Sequence, residues 1–174
     1  MNKALFLDRD GVINVEKDYL YKIKDFEFID GIFDLCRYYQ KLGFIIVVIT
    51  NQSGIARDYY TQSDFEVLTS WMLDEFLKKN ILISKVYYCP HHPEISGECS
   101  CRKPKSGMLL DAKIDLDIDL TKSIIIGDKE SDIEAGLSAG LQFTYLFDES
   151  KSISVSKANK IISNFKDIYD ANSK

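Results

Sequence analysis

Phe44-Ile45-Ile46-Val47-Val48-Ile49-Thr50 is a run of apolar, mostly β-branched residues, with no polar side chain until Thr50. A half-buried strand alternates apolar and polar residues. A strand apolar on both faces belongs inside a parallel sheet covered by helices on both sides. Similar runs recur on either side of it. Ala4 to Leu7 reads as a first short strand, Lys85 to Cys89 as a third, Ser123 to Ile126 as a fourth and Gln142 to Phe147 as a fifth. The stretches between them carry apolar residues at helical spacing. Gly31 to Leu42 presents Ile32, Leu35, Cys36, Tyr39 and Leu42, with Gly43 as the stop. Ser63 to Lys79 opens on a Ser63/Glu66 capping box, Met108 to Leu116 reads as a helix, and Ser131 to Ala139 opens on a second box, Ser131/Glu134. The tail after Asp148 holds Ile161, Ile162, Phe165 and Ile168, enough for an edge strand or a short helix. Strands alternating with helices specify an α/β fold, a doubly wound and mainly parallel sheet with helices on both faces. Its 174 residues form one domain, 1–174, with no repeat or linker-like stretch.

Composition removes several classes of function. A net charge of −5 argues against a nucleic-acid surface, which rewards excess Lys and Arg. No stretch approaches the roughly 20 apolar residues of a membrane span. The Ala4–Leu7 run is too short for a signal-peptide core, so a cytoplasmic location is the default expectation. Nothing in the chain demands more than a monomer.

The acidic residues fall where chemistry is expected. Asp8 and Asp10 follow the first strand, Thr50-Asn51 ends the second, and Gly127-Asp128 ends the fourth. Ligands of a doubly wound sheet bind beyond the carboxyl ends of its strands, so these distant segments should share one crevice. An Asp-x-Asp pair alone is ordinary turn or cap chemistry. Its coincidence with acids at other strand ends is not. Clustered carboxylates need a cation, and hard oxygen ligands suit Mg²⁺, which also binds phosphate. A carboxylate can then attack phosphorus while a second acid moves the proton. Thr50 and Lys103 could hold the phosphoryl oxygens. This reading leaves open which aspartate attacks.

Cys89-Pro-His91-His92, with Cys99 and Cys101 following, packs three thiols and two imidazoles into thirteen residues. Cys89, His91, Cys99 and Cys101 make a Cys₃His set for a structural Zn²⁺, with four protein ligands that leave no open position. Such a metal would stiffen the loop carrying Arg102 and Lys103. Cys36 sits on a helical core stripe and reads as packing.

Phe-Leu-Asp8-Arg-Asp10-Gly-Val-Ile-Asn14, Val-Ile-Thr50-Asn51-Gln52-Ser-Gly, Cys-Arg102-Lys103-Pro104 and Ile-Gly-Asp128-Lys129-Glu-Ser-Asp132 together resemble the haloacid dehalogenase superfamily of phosphatases. The match runs from about Leu5 to Tyr145. The resemblance implies Asp8 as nucleophile, Asp10 as general acid/base, and Thr50 and Lys103 as phosphate binders. It also implies Mg²⁺ held by the Asp8 side chain, the Asp10 carbonyl and Asp128. The intervals between motifs are short, which implies the type without a separate cap domain. There the loops 14–21, 53–60 and 89–101 would shape the pocket. Within the superfamily, Arg9, the cysteine loop and Phe26-Glu-Phe-Ile-Asp-Gly31 are similar to the heptose bisphosphate phosphatases that serve surface-glycan synthesis, such as lipopolysaccharide. The histidinol-phosphate phosphatases are the alternative, with Glu16 and Asp18 as an acidic pocket for an amine. Asp18-Tyr19-Leu20-Tyr21 departs from the heptose pattern in this same loop. A sugar bisphosphate needs further polar and cationic groups, for which Asn51, Gln52, Arg57, Arg102 and Lys129 are the candidates. A response-regulator receiver would place its aspartate after the third strand, where this chain has Cys89. A non-catalytic binding module would release no phosphate from any ester.

Overall fold

A computed structural model describes residues 1–170. Six parallel strands form one sheet: β1 (Lys3–Leu7), β2 (Phe44–Asn51), β3 (Ile83–Cys89), β4 (Ile124–Gly127), β5 (Phe143–Phe147) and β6 (Lys160–Ile162). Their spatial order is β3-β2-β1-β4-β5-β6, all pairs parallel. The helices are α1 (Ile32–Lys41), α2 (Gln62–Lys78), α3 (Pro93–Ser96), α4 (Gly107–Asp115), α5 (Glu130–Ala139) and α6 (Lys166–Asp170).

β2 lies inside the sheet, between β3 and β1, and its side chains have somewhere to go on both faces. Ile46, Val47, Val48 and Ile49 are all fully buried. Ile46 and Val48 join Leu5, Leu7 and Ile126 against Leu35, Cys36 and Tyr39 of α1 and Met72 and Phe76 of α2. Val47 and Ile49 join Ala4, Phe6 and Ile125 on the opposite face, against Met108, Leu109 and Ala112 of α4 and Ala135 of α5. Two-residue periodicity divides each strand between these cores. Each Val, Leu, Ile, Phe and Met among them contributes about 1.5–3 kcal/mol by leaving water. Among the described residues there is no separate cap domain.

Several sequence-based boundaries shift for local reasons. The α2 cap is Thr61, whose hydroxyl accepts from the Asp64 N–H at 3.1 Å while Asp64 accepts from the Thr61 N–H. Ser63 and Glu66 lie inside the helix. At α5 the reciprocal contact comes from Asp132, which accepts from the Lys129 N–H at 3.1 Å. Glu134 instead pairs with Lys157. Glu and Asp both reach back to an N-terminal N–H, and spacing alone does not separate adjacent registers. The tail forms both a strand, β6, and a short helix, α6. Phe165 and Ile168 of this segment complete the core on the α1 side.

Candidate active site

The order in which successive strands are laid down reverses between β1 and β4, and the crevice opens at their carboxyl ends. Asp8 follows β1, Asp128 follows β4, and Asp132 lies on the first turn of α5. One carboxylate oxygen from each of the three falls within 4.8 Å of the others. The peptide turns after Asp10 through Gly11 at φ +90°, where a Cβ would stand 2.2 Å from Asp128 Oδ2. Only glycine lets the two segments close this far.

Lys103 follows the cysteine loop two residues after Cys101 and is 4% exposed. Its ammonium donates to Asp8 Oδ1 at 2.8 Å and to the Ile49 carbonyl at 3.0 Å, and it pairs with Asp132 Oδ1 at 2.6 Å. All three of its hydrogens are engaged. Burial alone would lower its pKa, but the charges of Asp132 and Asp8 outweigh that and hold it protonated. Its backbone is fixed by an amide. Asn51 donates to the Lys103 carbonyl and accepts from the Lys103 N–H, both at 3.1 Å.

Lys103 pairs with two of the three carboxylates and Lys129 bears on Asp128, so the three carboxylates still outnumber the cations beside them. Burial pushes the Asp8 carboxyl well up despite Lys103, and the Asp132 and Asp128 charges push the same way. Burial, then the Asp132 charge, pushes Asp128 up to about 6. Asp128 Oδ1 is buried with no hydrogen-bond partner. A surplus of buried carboxylate and an orphaned acceptor oxygen fit a hard divalent cation.

Asp10 is held differently. Arg9, 1% exposed, forks onto it through Nη2 to Oδ1 at 3.0 Å and Nε to Oδ2 at 3.2 Å. Asn14 Nδ2 and Gln52 Nε2 each donate at 3.0 Å. Arg9 Nη2 also donates to the Leu20 carbonyl at 2.9 Å, tying the loop after β1 to the same cation.

The surrounding cleft of about 470 Å³ is lined by Asp8, Asp10, Thr50, Arg102, Lys103 and Lys129 among others. Lys129 reaches Glu16 at 3.1 Å, and Arg102 donates to the His91 carbonyl at 3.2 Å. Arg57 does not line the cleft. Its Nη2 lies 2.8 Å from His92 Nε2, so it braces the loop after β2 against the cysteine loop. Tyr19 against Tyr59 at 4.8 Å and Tyr21 stacked on Tyr60 at 5.4 Å join the first loop to the second.

The Cys89, His91, Cys99 and Cys101 ligand atoms also lie within 4.8 Å of one another. His91 Nδ1 is 3.6 Å from Cys89 Sγ and 3.4 Å from Cys101 Sγ, and Cys89 is 3.6 Å from Cys99 and 3.0 Å from Cys101. Tetrahedral thiolates on zinc stand roughly 3.8 Å apart, given bonds of about 2.3 Å. All but the Cys89–Cys101 separation are close to that, and His92 faces Arg57 instead. The donor set fits a metal with four protein ligands.

The HAD-hydrolase-like family model matches residues 100–150. Over 149 residues the chain is 56% identical to the D-glycero-alpha-D-manno-heptose-1,7-bisphosphate 7-phosphatase of Campylobacter jejuni, covering 86% of this chain and 84% of that protein. The chain belongs to the heptose-bisphosphate phosphatase family of HAD-like phosphatases. It is 46% identical over 157 residues to the D-glycero-beta-D-manno-heptose-1,7-bisphosphate 7-phosphatase of Haemophilus influenzae, covering 88% of this chain and 85% of that one. The D,D-heptose 1,7-bisphosphate phosphatase of B. bronchiseptica, solved with magnesium and phosphate, shares the fold at a TM-score of 0.84 and 24% identity, with 98% of this chain and 97% of that one covered.

Sequence reasoning about this family member leaves Asp132 out of the acidic site. Its spacing of four from Asp128, at a helix start, is the available signal. Arg9 is visible between two aspartates, but its burial is not. Tyr60 carries no signal at all.

Proposed function

We propose that the chain removes the C7 phosphate of D-glycero-D-manno-heptose 1,7-bisphosphate, in the cytoplasm, for the supply of activated heptose to surface glycans. The observation that carries this reading is the 56% identity, across 86% of the chain, to an enzyme named for that reaction. The site chemistry supports it. An Asp8 carboxylate oxygen attacks phosphorus and the bond from phosphorus to the sugar oxygen breaks, leaving an aspartyl-phosphate. Asp10 gives its proton to the departing alkoxide, then takes one from the water that hydrolyses the acyl phosphate. Thr50 and Lys103 receive the phosphoryl oxygens, Lys103 by exchanging one of its present partners. Arg102 and Lys129, both lining the cleft, are the cations for the second phosphate.

Asp8, Asp128 and the Asp10 carbonyl would hold Mg²⁺, with Asp132 beside them. The ion supplies charge neutralisation between carboxylate and phosphate. Cys89, His91, Cys99 and Cys101 would hold Zn²⁺ as a structural element, which suits a reducing compartment.

The Mg²⁺ assignment has a pH signature. Asp128 titrates near 6 in the folded chain, above the roughly 3.9 of a free aspartate. In the cation-free protein this raised pKa favours folding at acid pH, and the contribution is lost as pH rises through about 6. A divalent cation binds the ionised form. The Tm gain from added Mg²⁺ is therefore expected to be small at about pH 5 and to grow through about pH 7. A gain that stays constant across that window would refute the assignment.

The histidinol-phosphate alternative needs an anionic pocket for an amine. Glu16 is paired with Lys129, which weakens that case. The deciding measurement is phosphate release from both anomers of the heptose bisphosphate and from histidinol phosphate in parallel. A higher kcat/KM for a heptose anomer is expected; preference for histidinol phosphate would overturn the substrate.

A further inference from the structure

Gln52 lies one residue beyond β2, is 2% exposed, and has its whole amide committed inside the protein. Nε2 donates to Asp10 Oδ2 at 3.0 Å and to Thr50 Oγ1 at 2.8 Å, while Oε1 accepts from the Tyr60 hydroxyl. Both amide hydrogens are thereby spent, leaving none for a substrate. The orientation is selected. Turned over, the amide would set its carbonyl oxygen against the Asp10 carboxylate, acceptor against acceptor. Tyr60 is itself held in place by its stack on Tyr21 and by Gly54, where a Cβ would stand 2.2 Å from the Tyr60 ring. Burial pushes the Tyr60 phenol up to about 12, so it keeps the proton it donates.

The consequence for Thr50 is one of hydrogen-bond direction. A threonine hydroxyl has one hydrogen, and an Oγ1 already accepting from Gln52 leaves that hydrogen to be donated elsewhere. Thr50 is 1% exposed and borders the cleft beside Asp8. The same amide holds the Asp10 oxygen that Arg9 reaches through Nε. We propose that Gln52 is a positioning residue that couples the two: it turns the Thr50 hydroxyl hydrogen toward the phosphoryl group and fixes the Asp10 carboxylate beside the leaving oxygen. This rests on the phosphatase reading, in which Thr50 and Asp10 act on the reacting group.

The test compares Gln52→Glu and Gln52→Met with the unaltered holoenzyme, on heptose bisphosphate and on p-nitrophenyl phosphate. Gln52→Glu keeps the shape and replaces the donor with a repelling oxygen; Gln52→Met keeps the length and donates nothing. Both are expected to lower kcat by about tenfold or more on either ester, with KM changed less than about threefold. Tm, read alongside, separates this from unfolding, which would depress the active fraction and leave the kcat per folded molecule unchanged. A large rise in KM at unchanged kcat would make Gln52 a substrate-binding group and overturn the proposal, as would full kcat in both variants. An unaltered enzyme active on p-nitrophenyl phosphate but not on the heptose ester would refute the substrate alone, and the comparison would still be read on the generic ester. Inactivity on both would remove the proposal together with the phosphatase reading.

Discussion

Asp8→Asn is expected to abolish phosphate release, with kcat falling on the order of 10⁴-fold or more, while the fold stays at least as stable as before. The two halves have separate causes. An amide cannot form the aspartyl-phosphate, so the first step has no nucleophile. Asp8 is also one of three carboxylates whose oxygens lie within 4.8 Å of one another, and its burial raises its pKa well above that of a free aspartate. Removing one negative charge from that group relieves repulsion. Lys103 keeps Asp132 at 2.6 Å and the Ile49 carbonyl at 3.0 Å, so it is not left without partners. Phosphate-release kinetics and thermal unfolding without added cation check both halves. Retained turnover would refute the nucleophile, and a Tm lowered by more than a few degrees would refute the charge argument. Asp10→Asn is the companion: about 10²–10⁴-fold is the range for a lost proton carrier.

The second large effect concerns the cysteine loop. Cys101→Ser, or treatment with a chelator, is expected to lower Tm by roughly 10 °C if the proposed metal is structural. That corresponds to about 3–5 kcal/mol at 2–4 °C per kcal/mol for a chain of this size. The loop is exposed over its middle, residues 94–98, and its helix, α3, is one short turn, Pro93–Ser96, so the four ligands are contacts that join its two ends. It nevertheless carries the Arg102 and Lys103 backbone to the cleft. KM should therefore rise more than kcat falls. His92→Ala is the matched control. It leaves the four ligands intact and removes only the Arg57 brace, so its Tm should move by no more than a few degrees. Unchanged Tm after metal removal would exclude a structural metal, and a Tm loss in His92→Ala equal to that of Cys101→Ser would move the loop's stability from the metal to the brace.

Much of this molecule is legible in the chain itself. The order of strands and helices follows from apolar runs, and Asp8, Asp128 and Thr50 announce themselves by standing at strand ends. The candidate metal-ligand set is equally plain, because Cys89, His91, Cys99 and Cys101 are close in the chain and chemically unlike an ordinary loop. Cap registers at α2 and α5 both come out two residues before the sequence reading, since an acidic residue stands at both Asp64 and Glu66 and at both Asp132 and Glu134, and either could reach back. Arg57, Asn51 and Gln52 read as substrate contacts in the sequence. In the structure Arg57 stands against His92 outside the cleft, while Asn51 and Gln52 line the cleft and also bond the Lys103 backbone and Asp10 with Thr50.

The division has a physical cause. Local chemistry and periodicity are written in neighbouring residues, so the strand–helix alternation, the acidic pair after β1 and the cysteine cluster can be read from the chain alone. The direction of a buried side chain depends on what the rest of the chain brings against it. Lys103 meets Asp8 across 95 positions and Gln52 meets Asp10 across 42. That Asp8 shares its ammonium with Asp132, and that Asp10 is held by a buried arginine and an amide, emerges only when those distant segments pack together.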